Sequence, residues 1–136
     1  MIDLNVFSSG IQHIGIPTND IKATADFYVG LGFQLVYSIC NGGEEVRFLQ
    51  LGNLVIEAYQ NNKASMSDGA IDHIAIDVTQ IDSLYSEMTA AGYSFLTQGI
   101  ESLPFWEMGI KYFIIEGPNK ERLEFCERLK AQGGGI

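Results

Sequence analysis

Only two histidines occur in this chain of 136 residues, and they occur in matching contexts: His13 in IQHIGIPT (residues 11–18) and His73 in IDHIAIDV (residues 71–78). The 60-residue separation persists around them. Ile11, Ile14, Ile16, Ile21 and Gly32 correspond to Ile71, Ile74, Ile76, Ile81 and Gly92, and Phe33 corresponds to Tyr93. A constant offset over more than twenty residues implies one structural unit used twice. Further on, Glu57 in LVIEAY corresponds to Glu124 in ERLEFC, now 67 residues apart. Seven extra residues therefore belong to a loop of the second unit. Each unit thus offers a histidine and then a glutamate.

A carboxylate inside an apolar strand is costly unless it is exposed, paired with a cation or bound to a metal. Taken singly, a strand histidine is most often a core or surface residue, and Glu45, Glu116 and Glu127 read as solvated strand-end charges. The joint pattern differs, because independent structural residues have no reason to recur at matched positions. If the two units are related by a two-fold axis, their inner faces oppose each other and His13, Glu57, His73 and Glu124 converge. Two neutral imidazoles and two carboxylates carry a charge of about −2, which one divalent metal ion balances. Nitrogen and oxygen donors without thiolate suit Zn, Ni, Co, Fe or Mn. Gly15 and Ala75, two residues beyond each histidine, are small enough to leave room for a ligand, although ordinary packing explains them equally well.

The elements that must position these residues follow from periodicity. Gln12 to Pro17 alternate as a strand, with Ile14 and Ile16 on one side and His13 on the other. Ile21, Thr24, Ala25, Tyr28 and Leu31 then recur at helical spacing behind the capping oxygens of Thr18-Asn19-Asp20, until Gly32 stops the helix. Residues 33–40, 45–51 and 53–59 read as three strands, the last placing Glu57 opposite Ile56 and Ala58. Asn61 to Ala70 is a polar linker. The second unit repeats the order with a strand at 71–78 and a helix striped by Ile81, Leu84, Tyr85, Met88 and Ala91. Strands at 93–98, 111–116 and 122–127 follow, with a long loop at 99–108 taking up the extra length. The tail ending Gly133-Gly134-Gly135-Ile136 is expected to be disordered.

Composition bounds the function. With 136 residues the chain forms one compact domain, or two closely packed halves of about 60 residues that could hardly stand alone. A formal charge of −9 argues against nucleic acid or an anionic membrane surface as partner. Cys40 and Cys126 have no CxxC spacing and are too few for a disulfide framework, which points to a reducing compartment. With no apolar run of about 20 residues and no signal-like start, the expected location is the cytoplasm. Arg47, Lys111 and Arg122 are candidate anion contacts, and Phe105 and Trp106 could cover a substrate; each has an ordinary structural explanation. No P-loop or GxGxxG motif is present.

The segments IQHIGIPTNDIKATADFYVGLGF, IEAYQ, IDHIAIDV and IEGPNKERLEF together resemble the vicinal oxygen chelate superfamily (glyoxalase/bleomycin resistance/dioxygenase), and most closely its glyoxalase I, or lactoylglutathione lyase, branch. The resemblance implies an α+β fold in which two βαβββ modules, here 11–60 and 71–127 of a single domain over 1–136, form a cupped mixed sheet around a metal. It implies His13 and Glu57 as the ligands of the first module and His73 and Glu124 as those of the second. It further implies a lyase that converts the hemithioacetal of a 2-oxoaldehyde to a 2-hydroxyacyl thioester through an enediolate, with Glu57 or Glu124 shuttling the proton. A methylmalonyl-CoA epimerase-like enzyme and a non-catalytic binder of small molecules or metal are the alternatives. The partner class is a small-molecule substrate. A homodimer is expected, and the resemblance favours a metal site that joins the first module of one subunit to the second of the other.

Overall fold

The computed structural model describes residues 1–131, so the glycine-rich tail lies outside the described residues. The chain divides into two compact units, Met1–Ala64 and Ser65–Ile136. After a 3-10 turn at Leu4–Val6, the first unit contains β1 (Ile14–Thr18), α1 (Ile21–Gly30), β2 (Gln34–Asn41), β3 (Glu44–Leu51) and β4 (Leu54–Gln60). The second contains β5 (Ile74–Asp77), α2 (Ile81–Ala90), β6 (Glu101–Leu103), β7 (Ile110–Glu116) and β8 (Arg122–Arg128). The sheet orders are β1-β4-β3-β2 and β5-β8-β7-β6. In each sheet the first pair is parallel and the other two are antiparallel. This is the α+β architecture of paired βαβββ units expected from the sequence. Among the described residues no helix is long and apolar enough to cross a membrane.

Each helix covers one face of its own sheet. In the first unit Ile21, Ala25 and Tyr28 of α1 are buried, as are Ile16, Leu49, Ile56 and Ala58 of the strands. In the second, Ile81 and Met88 of α2 are buried, as are Phe113, Ile115, Leu123 and Phe125. Edge-on and tilted contacts join Tyr85, Phe95, Phe113 and Phe125 into one aromatic cluster. Gly32 and Gly92 end the two helices at φ +104° and +89°, a conformation that costs a residue without Cβ little.

The strand expected at 93–98 does not form. Phe95 makes a single bridge to Ile115, and the regular strand β6 lies at 101–103, inside the stretch expected to be loop. Phe95 faces Ile115 while Glu101 faces Tyr112, so the chain spends six residues against three of β7. Gly99, at φ +72°, allows the bend, and the Thr97 hydroxyl accepts from the Ile114 N–H at 3.2 Å. The additional length of the second unit is therefore shared among this bend, the 104–109 loop and the 117–121 turn.

The helix starts also differ. The Asp20 carboxylate accepts from the Ala23 N–H at 3.0 Å and caps α1 locally. Gln80, preceding α2, sits in the left-handed region and makes no side-chain cap. Glu127 instead reaches across from β8, accepting from the N–H groups of Gln80 at 3.3 Å and Ile81 at 3.0 Å. It is thus a helix cap rather than the solvated charge expected from sequence. Its counterpart Gln60 accepts from the Ile21 N–H at 2.9 Å. Because Glu127 satisfies two N–H groups at the positive end of a helix, Glu127→Ala is expected to cost about 1–2 kcal/mol in urea unfolding, with Glu127→Gln losing clearly less. Equal stability of all three proteins would refute the capping role.

Candidate functional site

The position of both glutamates follows from strand alternation. Ile56 and Ala58 are buried in the first core, which turns Glu57 to the sheet face away from α1. Leu123 and Phe125 do the same for Glu124 in the second unit. Parallel pairing then sets Gly15 of β1 beside Glu57 and Ala75 of β5 beside Glu124. His13 and His73 stand two residues before these small side chains, on the same faces.

The sequence-predicted partners meet within each unit. His13 Nε2 lies 3.7 Å from Glu57 Oε1, and His73 Nε2 lies 3.4 Å from Glu124 Oε1. Gly15 stands beside the first pair: a Cβ there would lie 3.5 Å from a Tyr59 ring carbon and 3.6 Å from Glu57 Oε1, in ordinary contact. Among the described residues, no three His, Cys, Asp or Glu side chains gather into one metal-holding group. Each unit therefore contributes a pair.

Two residues that sequence reasoning passed over complete the pairs. Nδ1 of His13 is 2.9 Å from Gln12 Oε1, and Nδ1 of His73 is 2.9 Å from Asp72 Oδ2. Both oxygens are acceptors, so each contact is a hydrogen bond in the Nδ1–H tautomer, with Nδ1 donating. The signal was present, since positions 12 and 72 share the 60-residue offset and are both polar. A neutral imidazole held this way turns an unprotonated Nε2 toward a carboxylate oxygen. Two acceptors then face each other, and either a proton on Nε2 or a cation between them relieves the opposition. The His73–Glu124 separation of 3.4 Å fits a cation, because donors bound to one metal at about 2.0–2.2 Å stand roughly 3.0–3.4 Å apart, and the His13–Glu57 separation of 3.7 Å is slightly wider. Neutral nitrogen and anionic oxygen are also the right donor chemistry. The residues present therefore suit a divalent metal.

The surroundings of the two pairs differ. In the first unit the His13 ring meets Phe48 edge-on with centroids 5.8 Å apart, and Phe48 in turn lies 5.9 Å from Tyr37. Phe48 pairs with Glu57 across β3 and β4, whereas Ile114 holds the equivalent place beside Glu124. In the second unit Glu124 is the more enclosed carboxylate, its side chain 13% exposed against 29% for Glu57. The His73 hydrogen bond is the main cause, with Asp68 and Arg122 contributing, that holds the exposed Asp72 carboxyl below the usual carboxylate range. Burial, reinforced by Glu124, pushes the Cys126 thiol up, away from the reactive thiolate.

The other sequence candidates take structural partners. Arg47 lies 3.7 Å from Glu45, Lys111 lies 3.5 Å from Asp82, and Arg122 contacts Asp68 and Asp72. Trp106 stacks under Arg128, whose guanidinium carbon is 4.0 Å from the ring centre. The groove that Trp106 lines with Asp77, Met108, Glu127 and Arg128 contains none of the four candidate ligands.

Known proteins resemble this chain in sequence or in fold. The uncharacterized protein YwbC of Bacillus subtilis (strain 168) is 34% identical over 125 residues, covering 87% of this chain and 97% of the relative. A glyoxalase family protein from Enterococcus faecalis superposes with a TM-score of 0.74 at 22% identity, over 89% of this chain and 99% of its own. FosX, a fosfomycin resistance protein from Listeria monocytogenes solved with Mn(II) and sulfate, superposes with a TM-score of 0.68 at 15% identity, over 90% and 95%. These two structural likenesses establish the fold alone. The sequence pattern of one family matches residues 10–125, and with it the chain belongs to the Glyoxalase/Bleomycin resistance protein/Dioxygenase superfamily.

Proposed function

We propose that the chain is a metal-dependent lyase of the glyoxalase I type, converting the hemithioacetal of a 2-oxoaldehyde to a 2-hydroxyacyl thioester. The observation that carries this reading is the repetition of a His–Glu pair, with a matching partner on each Nδ1, at equivalent positions of both units. In this reading His13, Glu57, His73 and Glu124 hold one divalent ion, and the modules 11–60 and 71–127 work as one glyoxalase-like unit. The Mn(II) bound by FosX, a relative in fold, supports the choice of ion class.

When bound, the ion supplies Lewis acidity that stabilises negative charge on two neighbouring substrate oxygens. The chain supplies the rest. Nδ1–H donation by the histidines to Gln12 and Asp72 keeps both Nε2 atoms directed at the site. Glu57 or Glu124 accepts the proton from the carbon bearing sulfur and hydroxyl, and returns it to the adjacent carbonyl carbon. The hydroxyl gives up its proton as its carbon becomes the thioester carbonyl, the neighbouring oxygen takes up a proton to become the alcohol, and no atom is gained or lost. Phe48, edge-on to His13, lines the first half of the site with an apolar ring.

Purified protein loaded with Zn²⁺, Ni²⁺ or Mn²⁺ is expected to form thioester from methylglyoxal and glutathione or another small thiol. Metal binding without thioester from any thiol would refute the lyase reading. Glu57→Gln and Glu124→Gln keep shape while removing a base. The variant that loses the shuttle is expected to fall in kcat by about 10²–10⁴-fold, with an unfolding midpoint close to that of the parent. Full activity in both would exclude proton transfer by these residues.

We further propose a homodimer in which each metal site joins the first module of one subunit to the second of its partner. The edge strand β2 supports association, because Leu35, Val36, Tyr37 and Ile39 along it are each about half exposed. Mixing inactive His13→Ala with inactive Glu124→Ala then regenerates one intact site per heterodimer. Under free subunit exchange this corresponds to about a quarter of parental activity. A monomer in sedimentation, or no recovery once exchange is demonstrated, would count against the shared site.

A further inference from the structure

We infer that Arg122 and Asp72 act as positioning residues for His73, forming a charged relay that the first unit lacks. The functional consequence rests on the reading of His73 as a metal ligand; the positioning itself rests on the geometry of the second unit. The two oxygens of Asp72 are divided between partners: Oδ2 accepts from His73 Nδ1 at 2.9 Å, and Oδ1 lies 3.6 Å from an Arg122 terminal nitrogen. Arg122 Nε lies 3.8 Å from Asp68 Oδ2, so the guanidinium stands between two carboxylates that flank the entry to β5. At these distances the arginine contacts are ion pairs rather than hydrogen bonds, which makes Arg122 a counter-charge for Asp72.

Arg122 and Glu124 are two residues apart on β8 and so emerge on the same face. One strand therefore brackets the imidazole: Arg122 holds the group that binds Nδ1, and Glu124 meets Nε2 at 3.4 Å. The first unit carries the natural control. Its counterpart of Asp72 is the neutral Gln12, and its counterpart of Arg122, at the 67-residue offset, is Val55. An amide partner needs no counter-charge and has none, whereas the carboxylate partner comes with a guanidinium. An uncompensated carboxylate at position 72 would be free to turn from Nδ1 to water, releasing the ring.

A double-mutant cycle tests this, using Arg122→Val, Asp72→Gln and the combination, which copies the first unit, with Asp72→Ala beside them to remove the Nδ1 acceptor altogether. Long-range proton–nitrogen spectra of the metal-free protein report which imidazole nitrogen carries the proton. The His73 ring is expected to be Nδ1–H in the parent, mixed in Arg122→Val, and Nδ1–H again in the double variant. Zn²⁺ affinity, measured by competition with a chromophoric chelator, is expected to fall on the order of 10-fold in Arg122→Val and 10–100-fold in Asp72→Ala. The double variant should lose less than the product of its two single changes. Unchanged tautomers in Arg122→Val and Asp72→Ala, or strictly multiplicative losses, would overturn the relay. A parent protein that takes up no Zn²⁺ would end the metal reading, and the tautomer spectra would then decide the positioning role alone.

Discussion

The alternation of side chains along β4 and β8 is the constraint on which the site depends. Ile56 and Ala58 in one strand, and Leu123 and Phe125 in the other, are buried in their unit's core. The intervening glutamate has only the opposite face available. Slipping either strand by one residue would put a carboxylate under a helix and its buried apolar neighbours in the open. Burying Ile56, Leu123 or Phe125 contributes about 1.5–3 kcal/mol through removal from water, while an unpaired buried carboxylate costs more than that. The core therefore fixes the direction of each carboxylate before any ligand is considered, and parallel pairing with β1 or β5 brings the histidine to it.

The two units reach equivalent geometry with different chemistry. Where the first uses Gln12 against Nδ1 and Gln60 against the start of α1, the second uses Asp72 and Glu127. The charged versions carry additional duties. Glu127 serves a helix whose preceding residue, Gln80, supplies no cap of its own, and Asp72 shares its charge with Arg122. The aromatic contacts of Phe48 with His13 and Tyr37 belong to the first unit, whereas the second keeps its aromatic cluster in the core. The surroundings of the pair are thus more apolar and open in the first unit, and more enclosed and laced with charge in the second.

Edge strands show where the duplicated plan is relaxed. β2 runs for eight residues against β3 with one bulge, whereas β6 keeps only three after the bend at Gly99. Tyr112 donates to Glu101 at 2.9 Å and secures this short edge, a bond that also raises the phenol's pKa. The parallel pairs that begin directly after the histidines are regular in both units, so the irregularity stays at the edge farthest from them in each sheet order.

The sequence by itself determined the duplication, the order of elements and the four residues that form the pairs. Each of these depends on local periodicity or on the recurrence of rare residue types, and both are visible without coordinates. His13 with Glu57 and His73 with Glu124 were legible because only two histidines exist and each has a strand glutamate at a matched offset. The interrupted strand at 93–98 was not legible. Its residues favour extended backbone, and only the register against β7, set by the packing of Phe95 and Phe113, decides where pairing resumes. The roles of Glu127 and Arg122 were likewise hidden. A polar residue on a strand end reads as solvated until its partner is known, and these partners lie up to 54 residues away, as between Asp68 and Arg122. Tertiary structure alone brings such atoms within reach, because hydrogen bonds and ion pairs act over a few ångströms of space and not along the chain.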